Sequence, residues 1–297
     1  MTKTLSLIIA LNYNNNPVNS FGILPSNNII SISSEGKIII FDNKFYQIIQ
    51  TIRLAHNNII FDISIKDENN FATCSGDKSI KTWLKTQDNK YELNHNISDI
   101  HENDIHKIIF LEDNSIISCS KDEKIKILKL INNKYICNII LNHNSPVYSI
   151  LYIKEENILI SSGTKSTLFW NLNDVLNSFI VSVNAVCYGK NALRKIDDER
   201  FIIGGAEKIQ ILSIKKKEII KEIETDFLVW AICVIKDRKL FLCGGVSDNI
   251  MIFNSDNYEK NLIINCHNNN IRSISLLKDG RIITGSEDSR TKIWKIL

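Results

Sequence analysis

Few residues punctuate this chain. It has 11 Gly and 3 Pro in 297 residues, and no linker or low-complexity spacer stands out. Its seven Cys are odd in number and scattered, with no Cys-x-x-Cys pair. That excludes a secreted disulfide framework and the usual zinc motifs, and it fits a reducing compartment, the cytoplasm or the nucleus. No apolar run approaches the ~20 residues of a membrane helix. A net charge of +3 is too mild to imply nucleic acid. Neither Gly-x-x-x-x-Gly-Lys-Ser/Thr nor Gly-x-Gly-x-x-Gly occurs, so no phosphate loop is expected.

What is abundant is Ile (56) and Asn (36). Ile is β-branched and favours strands. Asn tolerates the left-handed turn conformation that Gly normally supplies. Together they argue against a helical protein, and the 44% apolar content argues against disorder.

One pattern recurs along the chain. It runs from a polar loop, often with His, through a strand and a turn to a strand ending in small residues. A tight turn and a strand ending in an aromatic complete it. The best copy runs from His56 through Phe71-Ala72-Thr73-Cys74-Ser75-Gly76-Asp77 to Trp83. A second runs from His267 through Ile282-Ile283-Thr284-Gly285-Ser286-Glu287-Asp288 to Trp294. The first inward apolar residue of each copy is Val18, Ile60, Ile105, Val147, Leu193, Val229 or Ile271, at spacings of 42, 45, 42, 46, 36 and 42. Seven units of this length predict an all-β, seven-bladed β-propeller with four strands per blade.

The ends test that count. The last copy has room for three strands, and the segment before the first copy has room for one. Residues 3–12 are therefore expected to supply the outer strand of the last blade. Lys3 with the apolar run after it superficially imitates a secretory leader, but no small-residue cleavage site follows. A single domain over residues 1–297 is expected.

The repeats carry a resemblance. The chain resembles the WD40-repeat β-propellers over essentially its whole length. Blades of that family often bury a hydrogen-bonded set of His, Ser or Thr, Asp and Trp, with six residues from Asp to Trp. The resemblance implies two complete sets here, His56, Thr73, Asp77, Trp83 and His267, Thr284, Asp288, Trp294. Other copies depart. His101, Ser118 and Asp122 are followed by Leu128 rather than Trp. His143 and Trp170 lack an Asp. The fifth copy has neither His nor Trp, and the Trp-Asp dipeptide survives only as Phe41-Asp42.

A Ser, His and Asp within one copy could suggest a hydrolase triad. Recurrence in several copies points instead to packing, because one site needs one triad. His101, Glu102 and His106 lack the His-Glu-x-x-His spacing of a metal site. No catalytic residue, metal or cofactor is expected. Cys74, Cys119 and Cys243 read as small core residues, and Lys215-Lys216-Lys217 as a solvated turn into an outer strand.

In the family, the residue after the first inward apolar position tends to face the top opening and often contacts peptides. Carried over, this gives Asn19, Phe61, His106, Tyr148, Arg194, Trp230 and Arg272. The set holds no carboxylate. It is poor for acid–base chemistry and good for recognition, since aromatics and Arg dominate binding hot spots. The expected function is a non-catalytic scaffold for proteins or peptides, acidic or phosphorylated ones among them. It would be monomeric alone, part of a larger complex, and without membrane or nucleic-acid partners. The alternatives are a propeller-fold hydrolase or lactonase, and a ribosome- or RNA-associated subunit.

Overall fold

The computed structural model describes residues 4–174 and 178–297; Lys3, the first residue of the expected closing segment, lies outside them. The described residues form seven four-stranded antiparallel sheets and one single-turn 3₁₀ helix, Lys236–Arg238. No helix among them is long and apolar enough to cross a membrane. Each sheet is a meander of consecutive strands except the last. There Leu5–Leu11 pairs antiparallel with Thr291–Ile296, Leu5 opposite Ile296 and Leu11 opposite Thr291. This is the seven-bladed propeller arrangement, with the N-terminal strand completing the seventh blade.

The chain divides into two compact units, residues 19–150 and residues 1–18 with 151–297. In both, Ile patterning explains the strands. Middle strands such as Ile29–Ser33, Ile38–Phe41 and Ile282–Ser286 are buried at every position, as strands covered on both faces must be. Outer strands such as Glu218–Glu224 alternate exposed and half-buried residues. The seven first inward residues, Val18, Ile60, Ile105, Val147, Leu193, Val229 and Ile271, are all fully buried.

Small residues end the second strands because the next blade sits against them. A Cβ on Gly204 would lie 2.4 Å from Val229 Cγ1, and one on Gly244 would lie 2.8 Å from Ile271 Cγ2. Cys74, Cys119 and Cys243 fill equivalent second-strand sites and are fully buried. Burial pushes the Cys243 thiol far above its ordinary range. Asn does serve as the turn residue: Asn27, Asn89, Asn114, Asn132, Asn133, Asn144 and Asn157 all take positive φ.

Every outer strand carries one extra residue against its neighbour. The ladder slips at Ile8, Ile49, Asn94, Asn138, Ile180, Ile220 and Asn261, and each of these is exposed. Each slip lies beside the same third-strand position, the one held by Trp83, Trp170 and Trp294 in three of the blades.

Candidate functional site

The buried sets come first, because they fix the blades. His56 Nδ1 lies 3.0 Å from Asp77 Oδ2, and its Nε2 lies 2.8 Å from Thr73 Oγ1. Trp83 Nε1 donates to the same Thr73 hydroxyl at 2.9 Å. One proton arrangement satisfies every group. Trp83 N–H donates to Thr73, the Thr73 hydroxyl donates to His56 Nε2, and His56 Nδ1–H donates to Asp77. His267, Asp288, Thr284 and Trp294 repeat this at 2.9, 2.7 and 2.9 Å. In the third blade His101 joins Asp122 and Ser118 at 2.8 and 2.9 Å, and buried Leu128 replaces the indole. In the fourth, Trp170 donates to Ser161 at 2.7 Å, while His143 meets Ser145 instead of an Asp.

A further member of these sets is absent from the sequence reading. Lys81 and Lys292 donate at 2.7 Å to the carbonyls of Ala55 and Cys266, the residues just before His56 and His267. Lys126 does the same to Ile100 before His101. The signal was present, a Lys four residues after each Asp.

Electrostatics follows from burial. Desolvation lowers the affinity of His56 and His267 for a proton, and the adjacent Asp only partly opposes it. Burial alone would raise the three Asp carboxyls, but hydrogen bonds from the imidazoles and neighbouring amides outweigh it. Asp122 falls to about 2, and Asp77 and Asp288 fall further. Both shifts carry one sign: the folded chain binds fewer protons than the unfolded one, so acid destabilises it. Thermal stability should fall in two stages, first below about pH 6.5 as the imidazoles protonate, then below about 3.8 as the carboxylates do. Melting curves from pH 8 to 3 check this. A melting temperature flat from pH 7.5 to 5 would contradict the imidazole stage.

The expected recognition residues lie at the heads of the first strands, where a local device acts. In four blades the register slips at one residue, between Ile60 and Asp62, Ile105 and Lys107, Val229 and Ala231, and Ile271 and Ser273. The skipped residues are Phe61, His106, Trp230 and Arg272. A bulge frees a residue from the ladder and re-aims its side chain.

In the unit of residues 19–150, His106 lies between Phe61 and Tyr148, with ring centroids 4.8 and 4.7 Å away. Phe61 and Tyr148 are half-buried, whereas His106 is buried. Asn19 is fully buried, and its amide donates to the Ile60 carbonyl and to Ser34. It is a strut rather than a presented side chain. Beneath this row runs a buried ion pair that the sequence did not reveal. Asp62 Oδ1 meets Lys107 Nζ at 3.0 Å, and Ser20 and the Ile108 amide also donate to Asp62.

In the other unit, the Arg272 guanidinium lies over the Trp230 ring at 5.8 Å. Glu287 holds it through Nε and Nη2 at 2.9 and 2.5 Å. The set therefore has a carboxylate neighbour after all, and Trp230 has a packing partner. The fifth blade departs further. Leu193 pairs with Ile203 and Arg194 with Ile202, with no bulge, and the Gly204 amide donates to Ala192. Phe201 to Gly205 matches Phe241 to Gly245 residue for residue in Phe-x-x-Gly-Gly. In the sixth blade Gly244 pairs with Ala231, the residue after Trp230. Asn191, not Arg194, thus holds the Trp230 position. Asn191 is buried, and Arg194 reaches it through Nη2 at 3.4 Å. Placing the head at Lys190 also evens the spacing, from 46 and 36 to 43 and 39.

Seven four-stranded antiparallel sheets, three of which carry a buried His–Ser/Thr–Asp set, define a repeat β-propeller. The family described as WD domain, G-beta repeat matches at residues 47–83 and 259–295, the segments that end at Trp83 and just past Trp294. An uncharacterized WD repeat-containing protein of Schizosaccharomyces pombe is 27% identical over 120 residues, 39% of this chain and 20% of that protein. Two segments of the chain thus match the WD40 repeat, and the chain is similar to a WD repeat-containing protein. It matches about a fifth of the length of that relative.

Proposed function

We propose that the chain is a non-catalytic docking module that holds protein or peptide partners within a larger assembly, through side chains re-aimed by the first-strand bulges. The observation that carries this reading is the repeated slip at Phe61, His106, Trp230 and Arg272. Four independent strands each release a residue from the ladder at one position, and the residues released are three rings and an Arg. Flat faces with fixed charge suit an extended peptide. In one unit the presenting residues are Phe61 and Tyr148, with His106 as the ring they rest on. In the other they are Trp230 and Arg272, with Arg272 oriented by Glu287. Asn19 and Arg194 act as supports.

Affinity purification from the native source with mass spectrometry identifies the main partner. Trp230→Ala and Arg272→Gln should then each weaken its capture at least tenfold, about 1.4 kcal/mol, with melting temperature nearly unchanged. Lys216→Glu, on an exposed turn, is the control and should change little. If Lys216→Glu abolishes capture while the other two bind normally, the partner reads the outer rim and this assignment fails.

A further inference from the structure

A cationic cleft lies away from the bulged heads, within the unit of residues 1–18 and 151–297. Its lining is Ile8, Arg238, Asp279, Gly280, Arg281, Lys295 and Ile296, around a volume of about 300 Å³. Three elements build it. The single turn Lys236–Arg238 joins the first two strands of the sixth blade, the turn around Gly280 joins those of the seventh, and Lys295 closes the third strand beside Ile8. Ile8 is the extra residue of the N-terminal strand, so the bulge presents its side chain there.

The charge is concentrated. Arg238, Arg281 and Lys295 line the cleft, against Asp279. The lining therefore carries a surplus of two positive charges. Lys239, next to Arg238, is held by Asp256 at 2.6 Å and is left out of this balance. Both guanidiniums are oriented by contacts of their own. Arg238 Nη1 donates to the Ile296 carbonyl at 3.2 Å, and Arg281 donates through Nε and Nη2 to Asp279. Gly280 sits at φ 82° with open space where a Cβ would be, so the turn leaves the cleft uncovered.

We infer that this cleft is a second binding site, for a phosphomonoester carried on an extended peptide. A singly charged carboxylate would match only half of the surplus of two, whereas a phosphate carries nearly two negative charges and three strong acceptor oxygens. Oriented guanidiniums match those oxygens in pairs, and Lys295 adds a mobile charge. Ile8 offers an apolar wall for the carbon chain that bears the phosphate.

The test is amide and Arg Nε chemical-shift mapping on the full chain with N-acetyl-O-phosphoserine methylamide. Saturable shifts are expected at Arg238, Gly280 and Arg281, with at least tenfold weaker binding of the aspartate analogue and of inorganic phosphate. Arg238→Gln with Lys295→Gln should weaken the probe at least tenfold at unchanged melting temperature. Lys216→Gln should leave it alone. Four results would overturn the inference: no saturation, equal shifts along Lys215–Lys217, equal affinity for inorganic phosphate, or an unaffected double variant. Trp230→Ala tests the other surface, and a protein with that change should still bind this probe.

Discussion

Removing residues 1–12 should leave a chain that aggregates or melts far below the full-length protein. The strand Leu5–Leu11 forms one edge of the seventh blade, and all its ladder bonds go to Thr291–Ile296. Without it, the backbone of Thr291–Ile296 becomes an open edge, a ready template for another chain. Leu5 and Leu11 are buried, and each withdraws about 2 kcal/mol of apolar burial when lost. Trp294, only 5% exposed, loses the strand beside it, so the His267 set is loosened as well. Light scattering and a thermal melt on the truncated chain decide the point. A soluble, monomeric product with unchanged melting temperature would show that the strand is dispensable.

Asp77→Ala should lower the melting temperature by several degrees without abolishing partner capture. Asp77 accepts from His56, from the Asn57 and Ser79 amides and from the Ser79 hydroxyl. Its removal strands a fully buried imidazole, at a cost of roughly 1–3 kcal/mol. The Asp side chain is 14% exposed, so water recovers part of the loss. Asp288 is more enclosed, at 8%, and Asp288→Ala should cost at least as much. Calorimetry on both variants gives the comparison. Unchanged stability with lost binding would make Asp77 a contact residue instead of a structural one.

The sequence made the fold legible where chemistry repeats with the chain. A period near 42 residues, apolar strand heads, one spare strand before the first copy and one missing from the last led to seven sheets and to the pairing of Leu5–Leu11 with Thr291–Ile296. The fifth blade was misread for a physical reason. Reading by apolar residues selects Leu193, which is indeed buried, whereas Lys190 and Asn191 hold the head and its neighbour. Only strand pairing separates the two, because apolar character alone does not tell which residue stands opposite the Gly-Gly end of the second strand. Pairs distant in sequence were equally hidden. Asp62 with Lys107 and Arg272 with Glu287 each join residues whose separation no local pattern predicts. The second of those pairs holds the Arg272 guanidinium in place.

The interrupted outer strands bear on how this chain behaves in crowded solution. Isoleucine-rich, asparagine-rich segments are prone to stack into fibrils, and the seven blades display seven such edges. An incoming strand can register with only a few residues before the extra one throws its hydrogen bonds out of phase. The interruption therefore caps the length of any intermolecular ladder. It lets the chain keep exposed isoleucine at Ile8, Ile49, Ile180 and Ile220 without those positions seeding polymerisation.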